Sequence, residues 1–244
     1  MEADNRRPRV LICDPIAQDG IDMMSKIADV EHKGKHSQDE LMQIISDYDA
    51  IVVRSGTKVP AEVIDHATRL KVIGRAGSGL DTIDVAHARA NDIQVVNSPD
   101  ANTVAVAEHT MGLLLALARR LPRADLSLKE GKWEKKQLMG TGLAGKTLGI
   151  IGFGRIGREV AKRAQGFSMK ILTNQRRSTP ELESEPGIKN VDLNKLLQQS
   201  DFITLHVPLR DDTKGIIGRE QLELMKESAY IINTARGGVI EEEA

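Results

Sequence analysis

The sequence predicts an α/β protein made of two doubly wound parallel sheets, one in each half of its 244 residues. Short apolar segments rich in Val and Ile alternate with amphipathic helical segments, as they do in βαβ units. A glycine-rich segment, GFGRIG at 152–157, joins one such strand to the helix after it. Clusters of Arg, Ser and Gly follow several predicted strands, at the edge where open α/β sheets bind ligands.

The first half of the chain predicts strands and helices in strict alternation. The strands are 9–13, 29–32, 50–54, 70–74 and 93–97, and the helices are 18–28, 38–47, 60–67 and 81–90. Ser37, with Glu40 three residues later, forms a capping box that marks the start of the second of these helices. This order predicts a parallel sheet with crossover helices.

The alternation stops at Ser98-Pro99, where we predict the boundary between a domain 1–98 and a domain 99–244. A long helix with apolar periodicity follows at 103–119. The segment 119–145 is polar and carries the only tryptophan, Trp133. We predict irregular structure for that segment.

A second series of strands and helices opens at Lys146. Its strands are 147–151, 169–173, 201–205 and 229–233, with one helix from about 158 and another at 219–226. Gly152 permits a tight turn, Gly154 lets backbone N–H groups approach a pyrophosphate, and Gly157 lets the helix pack closely on its strand. The helix N-terminus adds unpaired N–H groups and a positive dipole end. The segment predicts a dinucleotide site, with a plain strand-to-helix turn as the alternative.

Composition excludes several classes of function. The net charge is −1 with acids and bases interspersed, and aromatic residues are 2% of the chain, so the composition gives no sign of a nucleic-acid surface. The single cysteine, Cys13, allows no internal disulfide, and we expect no metal site. The longest apolar run, 111–118, is too short to span a membrane, and the charged N-terminus is not a secretory signal. We expect a soluble cytoplasmic protein without nucleic-acid or membrane partners.

Five segments, in order, carry a resemblance to a known family. They are RSGTKV (54–59), RAGSGLDTID (75–84), NSPDANTVAVAEHT (97–110), GKTLGIIGFGRIG (145–157) and ARGG (235–238). Over nearly the whole chain they resemble the D-2-hydroxyacid dehydrogenases. GKWEKKQLMG and SDFITLHVPL are most similar to the members that act on 3-phosphoglycerate, in serine biosynthesis.

The resemblance implies an NAD(P)-linked oxidoreductase that exchanges a hydride with a small 2-hydroxy or 2-oxo acid. It implies a flavodoxin-like substrate domain made from both chain ends and a Rossmann nucleotide-binding domain. Arg236 matches the family's active-site arginine, whose planar guanidinium can hold a carboxylate bidentately and polarise a carbonyl. The implied substrate-binding residues are Arg54, Ser55, Gly56, Arg75, Ser78, Gly79 and Asn102. The implied cofactor-binding residues are Ser78, Gly152, Gly154, Arg155, Ile156, Gly157, Gln175, Arg176, Val207, Pro208, Thr234, Ala235 and Arg236.

Four of these residues have structural alternatives. Arg54 and Arg75 fall where the family needs positive charge for a substrate phosphate, but both could instead pair with carboxylates of the fold. Arg236 could form a surface ion pair. Asn102 could instead cap the N-terminus of the helix 103–119.

The cofactor site departs from the family pattern after the second strand of the second half. A carboxylate there usually binds the adenosine ribose and repels a 2′-phosphate, but this chain has Gln175 followed by Arg176 and Arg177. Two arginines could bind a 2′-phosphate, so NADP(H) could be accepted or preferred. In the alternative, Gln175 still binds the ribose and both arginines are solvated.

The catalytic base is the second departure. The family's histidine and its carboxylate partner lie downstream of ARGG, and this chain ends at Ala244. His109 follows Glu108 on the long helix, and we expect that pair to be structural. His206 ends a strand without a neighbouring acid in the sequence. We therefore expect a C-terminally truncated form whose second domain is incomplete and whose activity is weak or absent.

The sequence is compatible with three functions. The favoured one is a dehydrogenase for 3-phosphoglycerate, and the next is an NADP(H)-dependent glyoxylate or hydroxypyruvate reductase. The third is a dinucleotide-sensing protein without catalysis. Family members are usually homodimers joined through the nucleotide-binding domain, and helix 103–119 with Trp133 would supply that interface. In the alternative, Trp133 packs on its own subunit.

Overall fold

The computed structural model describes residues 6–32, 34, 36–176 and 185–244. The chain divides into two compact units, Met1–Asn102 and Thr103–Ala244. Each unit contains one parallel five-stranded sheet, which confirms the predicted α/β class. Within the described ranges, no helix combines the length and apolar character that a membrane crossing requires.

The first unit has a sheet in the order β2-β1-β3-β4-β5, the flavodoxin-like order. Its strands are β1 (Arg9–Ile12), β2 (Asp29–His32), β3 (Ala50–Val53), β4 (Val72–Arg75) and β5 (Gln94–Asn97). Its helices are α1 (Gln18–Ser25), α2 (Gln38–Ile44), α3 (Ala61–Asp65) and α4 (Val85–Ala90). Leu11, Ile51 and Ile73, on three neighbouring strands, are fully buried in one apolar core, so the sheet is the centre of the unit.

Helix ends in this unit follow local capping chemistry. The hydroxyl of Ser37 accepts the N–H of Glu40 (3.2 Å), and the Glu40 carboxylate accepts the N–H of Ser37 (2.9 Å). The predicted capping box is therefore confirmed. Helix α4 begins at Val85 rather than at 81, because the Asp84 carboxylate accepts the N–H of His87 (2.9 Å) and caps the helix there.

The second unit has the strand order β10-β9-β6-β7-β8, which corresponds to the Rossmann order 3-2-1-4-5 read from the other edge. Its strands are β6 (Thr147–Ile151), β7 (Lys170–Asn174), β8 (Ile188–Asn190), β9 (Phe202–Leu205) and β10 (Tyr230–Asn233). Its helices are α5 (Thr103–Ala118), α6 (Leu121–Lys129), α7 (Arg155–Gly166), α8 (Leu193–Gln199) and α9 (Arg219–Glu223). The order in which strands are added to the sheet switches from one side to the other at β6, which lies between β7 and β9. Ligands of such sheets bind at this switch point.

The sequence-based prediction was wrong for part of the segment 119–145. Helix α6 occupies Leu121–Lys129, with Pro122 in its first turn. Proline is favoured at that position because its missing N–H would be unpaired there anyway. Strand β8 and helix α8 were also not predicted. Helix α7 begins three residues before the predicted start, at Arg155, with Gly154 as its N-cap.

Candidate functional site

Two glycines of the GFGRIG segment are required by the fold. Gly152 has φ +92°, and a Cβ there would lie 2.9 Å from the backbone of His206. A Cβ on Gly157 would lie 2.4 Å from the Gly152 carbonyl oxygen. The tight turn and the close contact between helix and strand are therefore both present, as the sequence predicts.

Gly154 differs from these two because the protein itself does not require a glycine there. Its φ of −81° and ψ of −158° suit any residue, and a Cβ would meet no atom within 4 Å. Gly154 is the N-cap of the twelve-residue helix α7, whose first N–H groups have no partner within the helix. A glycine beside open space at a helix N-terminus is the arrangement expected for a backbone that an anion approaches closely.

A cleft of about 600 Å³ opens beside this turn, a size typical of small-molecule sites. It brings together six of the predicted cofactor-binding residues: Gly152, Gly154, Gln175, Arg176, Val207 and Pro208. The remaining lining residues are Ile151, Asn174, His206, Arg210, Asp212, Thr213 and Ile216. Gly157 does not line the cleft, because it lies in the contact between α7 and the glycine-rich turn. Arg155 and Ile156 are in the first turn of α7.

The end of β7 shows how the missing carboxylate is replaced. The Gln175 side-chain oxygen accepts the N–H of Phe153 (2.8 Å), so the glutamine is bonded to the glycine-rich turn, and the residue lines the cleft. The Arg176 guanidinium forms an ion pair with the Asp212 carboxylate. The side chain of Arg176 is also 83% accessible, so it is both solvated and paired, while Arg177 lies outside the described residues.

His206 lines the same cleft but does not resemble a catalytic base tuned by an acid. Burial lowers the pKa of His206 from 6.5 to about 4, so the ring is neutral at pH 7. Its Nε2 lies 3.1 Å from the Thr204 hydroxyl, and in the described part of the chain its Nδ1 has no hydrogen-bond partner. A neutral imidazole beside the cleft adds polarity without charge.

Arg236 lies on a loop fixed by the side chain of Asn233. The Asn233 amide donates to the Arg236 carbonyl oxygen (2.9 Å), and its oxygen accepts the N–H of Ala235 (3.0 Å). The Thr234 hydroxyl is 2.8 Å from the hydroxyl of buried Thr110. These bonds hold the loop 234–236 beside a second cleft, of about 640 Å³. Its lining includes Thr234, Ala235, Arg236, His109 and Glu242.

The side chains of Glu108 and His109 lie in different surroundings. Glu108 lies 3.2 Å from the Arg163 guanidinium of α7 in an ion pair, whereas His109 lines the cleft of Arg236. The carboxylate of Glu108 therefore links α5 to α7 through this ion pair, in agreement with the structural role expected for it.

In the first unit, Asp14 organises the predicted substrate loop, and the sequence analysis missed it. Its buried carboxylate accepts the backbone N–H groups of Arg54 (2.6 Å) and Thr57 (3.2 Å). A Cβ on Gly56 would lie 2.4 Å from the same carboxylate, so only glycine allows this approach. An acid directly after a buried strand was the available signal.

The two predicted phosphate-binding arginines have different surroundings. Arg54 is exposed and donates to the carbonyl oxygen of Pro15 (3.1 Å). Arg75 turns back over its own loop: it donates to the Ala76 carbonyl oxygen (3.0 Å) and lies against Gly77, where a Cβ would be 2.7 Å from it. Neither guanidinium forms an ion pair with a carboxylate of the described residues, so the structural alternative proposed for both is not observed.

The loop 76–79 is held at the end of β5. Asn97 donates its side-chain amide to the Ser78 carbonyl oxygen (2.7 Å), and in the described part of the chain the N–H groups of Ser78 and Gly79 donate to no protein acceptor. The side-chain oxygen of Asn102 likewise accepts no hydrogen bond from any described residue. Asn102 therefore does not cap α5, which removes that alternative.

The Rossmann strand order and the glycine turn define the second unit as a dinucleotide-binding domain. Residues 111–244 match the model of the D-isomer-specific 2-hydroxyacid dehydrogenase NAD-binding domain. The chain is 50% identical to the D-3-phosphoglycerate dehydrogenase of Methanocaldococcus jannaschii, covering 97% of this chain and 45% of that protein. It is also 50% identical to the hydroxypyruvate reductase of Thermotoga maritima, covering 98% of this chain and 77% of that protein.

The structure is similar to that of an acyclic imino acid reductase in complex with NADPH and D-Arg. The TM-score is 0.88 with 31% identity, over 96% of this chain and 76% of that one. This protein therefore belongs to the D-isomer-specific 2-hydroxyacid dehydrogenase family of oxidoreductases. It spans less than half the length of the phosphoglycerate dehydrogenase from M. jannaschii.

Proposed function

We propose that the protein binds a nicotinamide dinucleotide in the cleft of its second unit and takes part in hydride transfer with a small 2-hydroxy or 2-oxo acid. The observation that carries the proposal is Gly154, a glycine that the fold does not need, at the N-terminus of α7. When bound, the nicotinamide supplies the hydride acceptor or donor. Backbone N–H groups of Arg155 and Ile156 would bind the pyrophosphate.

The substrate end of the reaction is assigned to arginine and backbone donors. Arg236 would hold the substrate carboxylate through two parallel N–H···O bonds and stabilise charge on the C2 oxygen. The Asn233 side chain bonds to this loop through two hydrogen bonds, which favour the conformation that presents Arg236. The N–H groups of Ser78 and Gly79 are proposed as further carboxylate donors.

We propose 3-phosphoglycerate as the substrate. Arg54 follows β3, and Arg75 is the last residue of the neighbouring strand β4, where it is in register with Val53. A relative named D-3-phosphoglycerate dehydrogenase is 50% identical. The second candidate is a hydroxypyruvate or glyoxylate reductase, favoured by Gln175 at the cofactor site and by the equally similar hydroxypyruvate reductase. The two candidates differ in whether Arg54 and Arg75 must bind a phosphate.

Calorimetric titration of the NADH-saturated chain with 3-phospho-D-glycerate and with D-glycerate distinguishes them. We expect the phosphorylated acid to bind at least about tenfold more tightly, because it adds charge-assisted hydrogen bonds to Arg54. Arg54→Ala should remove that preference. Arg89→Ala, which deletes the same charge from exposed Arg89 on α4, should keep it.

Other outcomes of that titration would contradict the assignment. Equal affinity for the two acids would overturn 3-phosphoglycerate in favour of the reductase. Failure of both acids to bind, with NADH still bound, would instead support the dinucleotide-sensing function.

We also propose that the cleft accepts NADP as well as NAD. Support comes from Gln175, which places an amide rather than a carboxylate at the end of β7, and from the similar reductase that binds NADPH. An amide can donate to a ribose hydroxyl or to a 2′-phosphate and repels neither. Titration of the chain with NADP⁺ tests this proposal, which fails if only NAD⁺ binds.

A homodimer through the second unit is the proposed assembly. Apolar side chains are exposed on α5, on α6 and on the loop that follows α6. In that loop, Trp133 is 81% and Met139 is 76% accessible. The other exposed apolar residues of these segments are Val104, Leu113, Leu117, Leu121, Leu126 and Leu128. Exposed apolar surface of this extent is typical of a protein interface.

Leu126→Asp should convert the dimer to a monomer, measured by light scattering at micromolar concentration. A buried, unpaired carboxylate in an apolar interface costs several kcal/mol, so the association should weaken by more than about 100-fold. Met23→Asp places the same charge at the exposed position 23 of α1 and should leave the molar mass measured by light scattering at that of the dimer. A wild-type monomer would contradict the assembly.

A further inference from the structure

We infer that Asp212 sets the cofactor selectivity of the cleft by holding Arg176 in an ion pair. The carboxylate limits the affinity of the site for a dinucleotide that carries a 2′-phosphate, and it leaves the affinity for NAD⁺ unaffected. This inference rests on the proposed dinucleotide function. It assigns a selectivity-determining role to a residue that lies across the cleft from the usual position.

The end of β7 contributes no carboxylate of its own. Gln175 occupies that position, and its oxygen is already used by the N–H of Phe153. Among the described residues that line the cleft, Asp212 is the only one with a carboxylate. The negative charge in this part of the cleft therefore comes from Asp212, in the turn after β9, and not from a residue at the end of β7.

The turn that carries Asp212 is tightly bonded. The Thr213 hydroxyl accepts the N–H of Arg210 (2.8 Å) and donates to the Pro208 carbonyl oxygen (2.5 Å). The N–H of Lys214 closes the turn on the Arg210 carbonyl oxygen (2.8 Å). The carboxylate of Asp212 is thus presented from a fixed backbone.

Arg176, in contrast, is held only weakly. Its side chain is 83% accessible, and its guanidinium donates to Asp212. Exposed pairs of this kind are easily exchanged, because solvent screens both charges. A 2′-phosphate entering the cleft would have to compete with Asp212 for this guanidinium, and it would also be repelled by the carboxylate. NAD⁺ carries a neutral hydroxyl where NADP⁺ has the 2′-phosphate, so it brings no additional anion beside this carboxylate.

Calorimetric titration of the intact chain with NADP⁺ and with NAD⁺, at low ionic strength, tests the inference. Asp212→Asn should tighten NADP⁺ binding about fivefold and change NAD⁺ binding by less than about twofold. Arg176→Ala should weaken NADP⁺ binding, and in that background Asp212→Asn should give a smaller gain, because only the direct repulsion of the 2′-phosphate is then removed. Asp211→Asn is the matched control, because Asp211 is exposed and adjacent but does not line the cleft.

Each outcome decides a separate question. An unchanged ratio of NADP⁺ to NAD⁺ affinity in Asp212→Asn, with NAD⁺ still bound, overturns the selectivity role alone. Weaker NAD⁺ binding in that variant also overturns it, because Asp212 would then accept a ribose hydroxyl directly. An equal gain in Asp211→Asn reduces the effect to general charge and overturns the role. Failure of the wild type to bind either dinucleotide overturns the proposed function together with it.

Discussion

Gly154→Ala is expected to weaken NADH binding by about 100-fold while changing the free energy of unfolding by less than about 1 kcal/mol. The loss of affinity follows because a Cβ at residue 154 points into the space that a pyrophosphate would occupy, and two or more charge-assisted N–H bonds would lengthen. Stability is spared because that Cβ meets no protein atom within 4 Å and the backbone conformation suits alanine. Calorimetric titration and denaturant unfolding measure the two quantities.

The same substitution elsewhere in the helix provides matched comparisons. Gly157→Ala should lower the free energy of unfolding by about 2 kcal/mol, because the new methyl group would lie 2.4 Å from the Gly152 carbonyl oxygen. Gly166→Ala, at the last residue of α7, has open space for its methyl group and should leave NADH affinity unchanged. If Gly154→Ala binds NADH normally, the turn does not hold the pyrophosphate.

Asp14→Ala is expected to destabilise the first unit by about 3 kcal/mol, because two backbone N–H groups lose a charged acceptor. Asp14→Asn keeps one side-chain oxygen in place and should cost only about 1 kcal/mol. Asp19→Ala, on the exposed first turn of α1, should cost less than about 1 kcal/mol. Denaturant unfolding of the three variants gives the comparison.

The same carboxylate should control substrate affinity. Asp14→Asn should leave the unit folded but loosen the loop that carries Arg54 and Gly56, which contacts this carboxylate. We therefore expect 3-phosphoglycerate to bind at least about tenfold more weakly, with NADH affinity unchanged. If substrate affinity is unchanged while the loop is destabilised, loop 54–57 has no part in binding.

Much of the fold could be predicted from local sequence signals. Buried strands such as β6 and β9 are short apolar runs, and their alternation with helices specifies a parallel sheet. Ser37 and Glu40 define a helix start through two hydrogen bonds within three residues. The roles of Gly152 and Gly157 were predictable from the glycine spacing, because Gly152 turns the chain with φ +92° and Gly157 meets the carbonyl oxygen of nearby Gly152.

The residues that the sequence did not reveal act over longer separations. Asp14 bonds to a loop 40 residues away, and Asp212 pairs with Arg176, 36 residues away. No pattern of spacing predicts such pairs, because they depend on which strand ends lie together in the sheet. Helix α6 was missed for a different reason: its leucines Leu121, Leu126 and Leu128 are all more than half exposed, so the helix has no buried apolar face of the kind that periodicity detects.

Titration of the 244-residue chain with NADH tests the central claim most directly. We expect saturable binding of one NADH per chain, with a Kd below about 1 mM, and loss of that binding in Gly154→Ala. A chain that is folded by circular dichroism and releases no binding heat up to about 1 mM NADH would contradict the claim that the cleft beside Gly152 and Gly154 is a dinucleotide site.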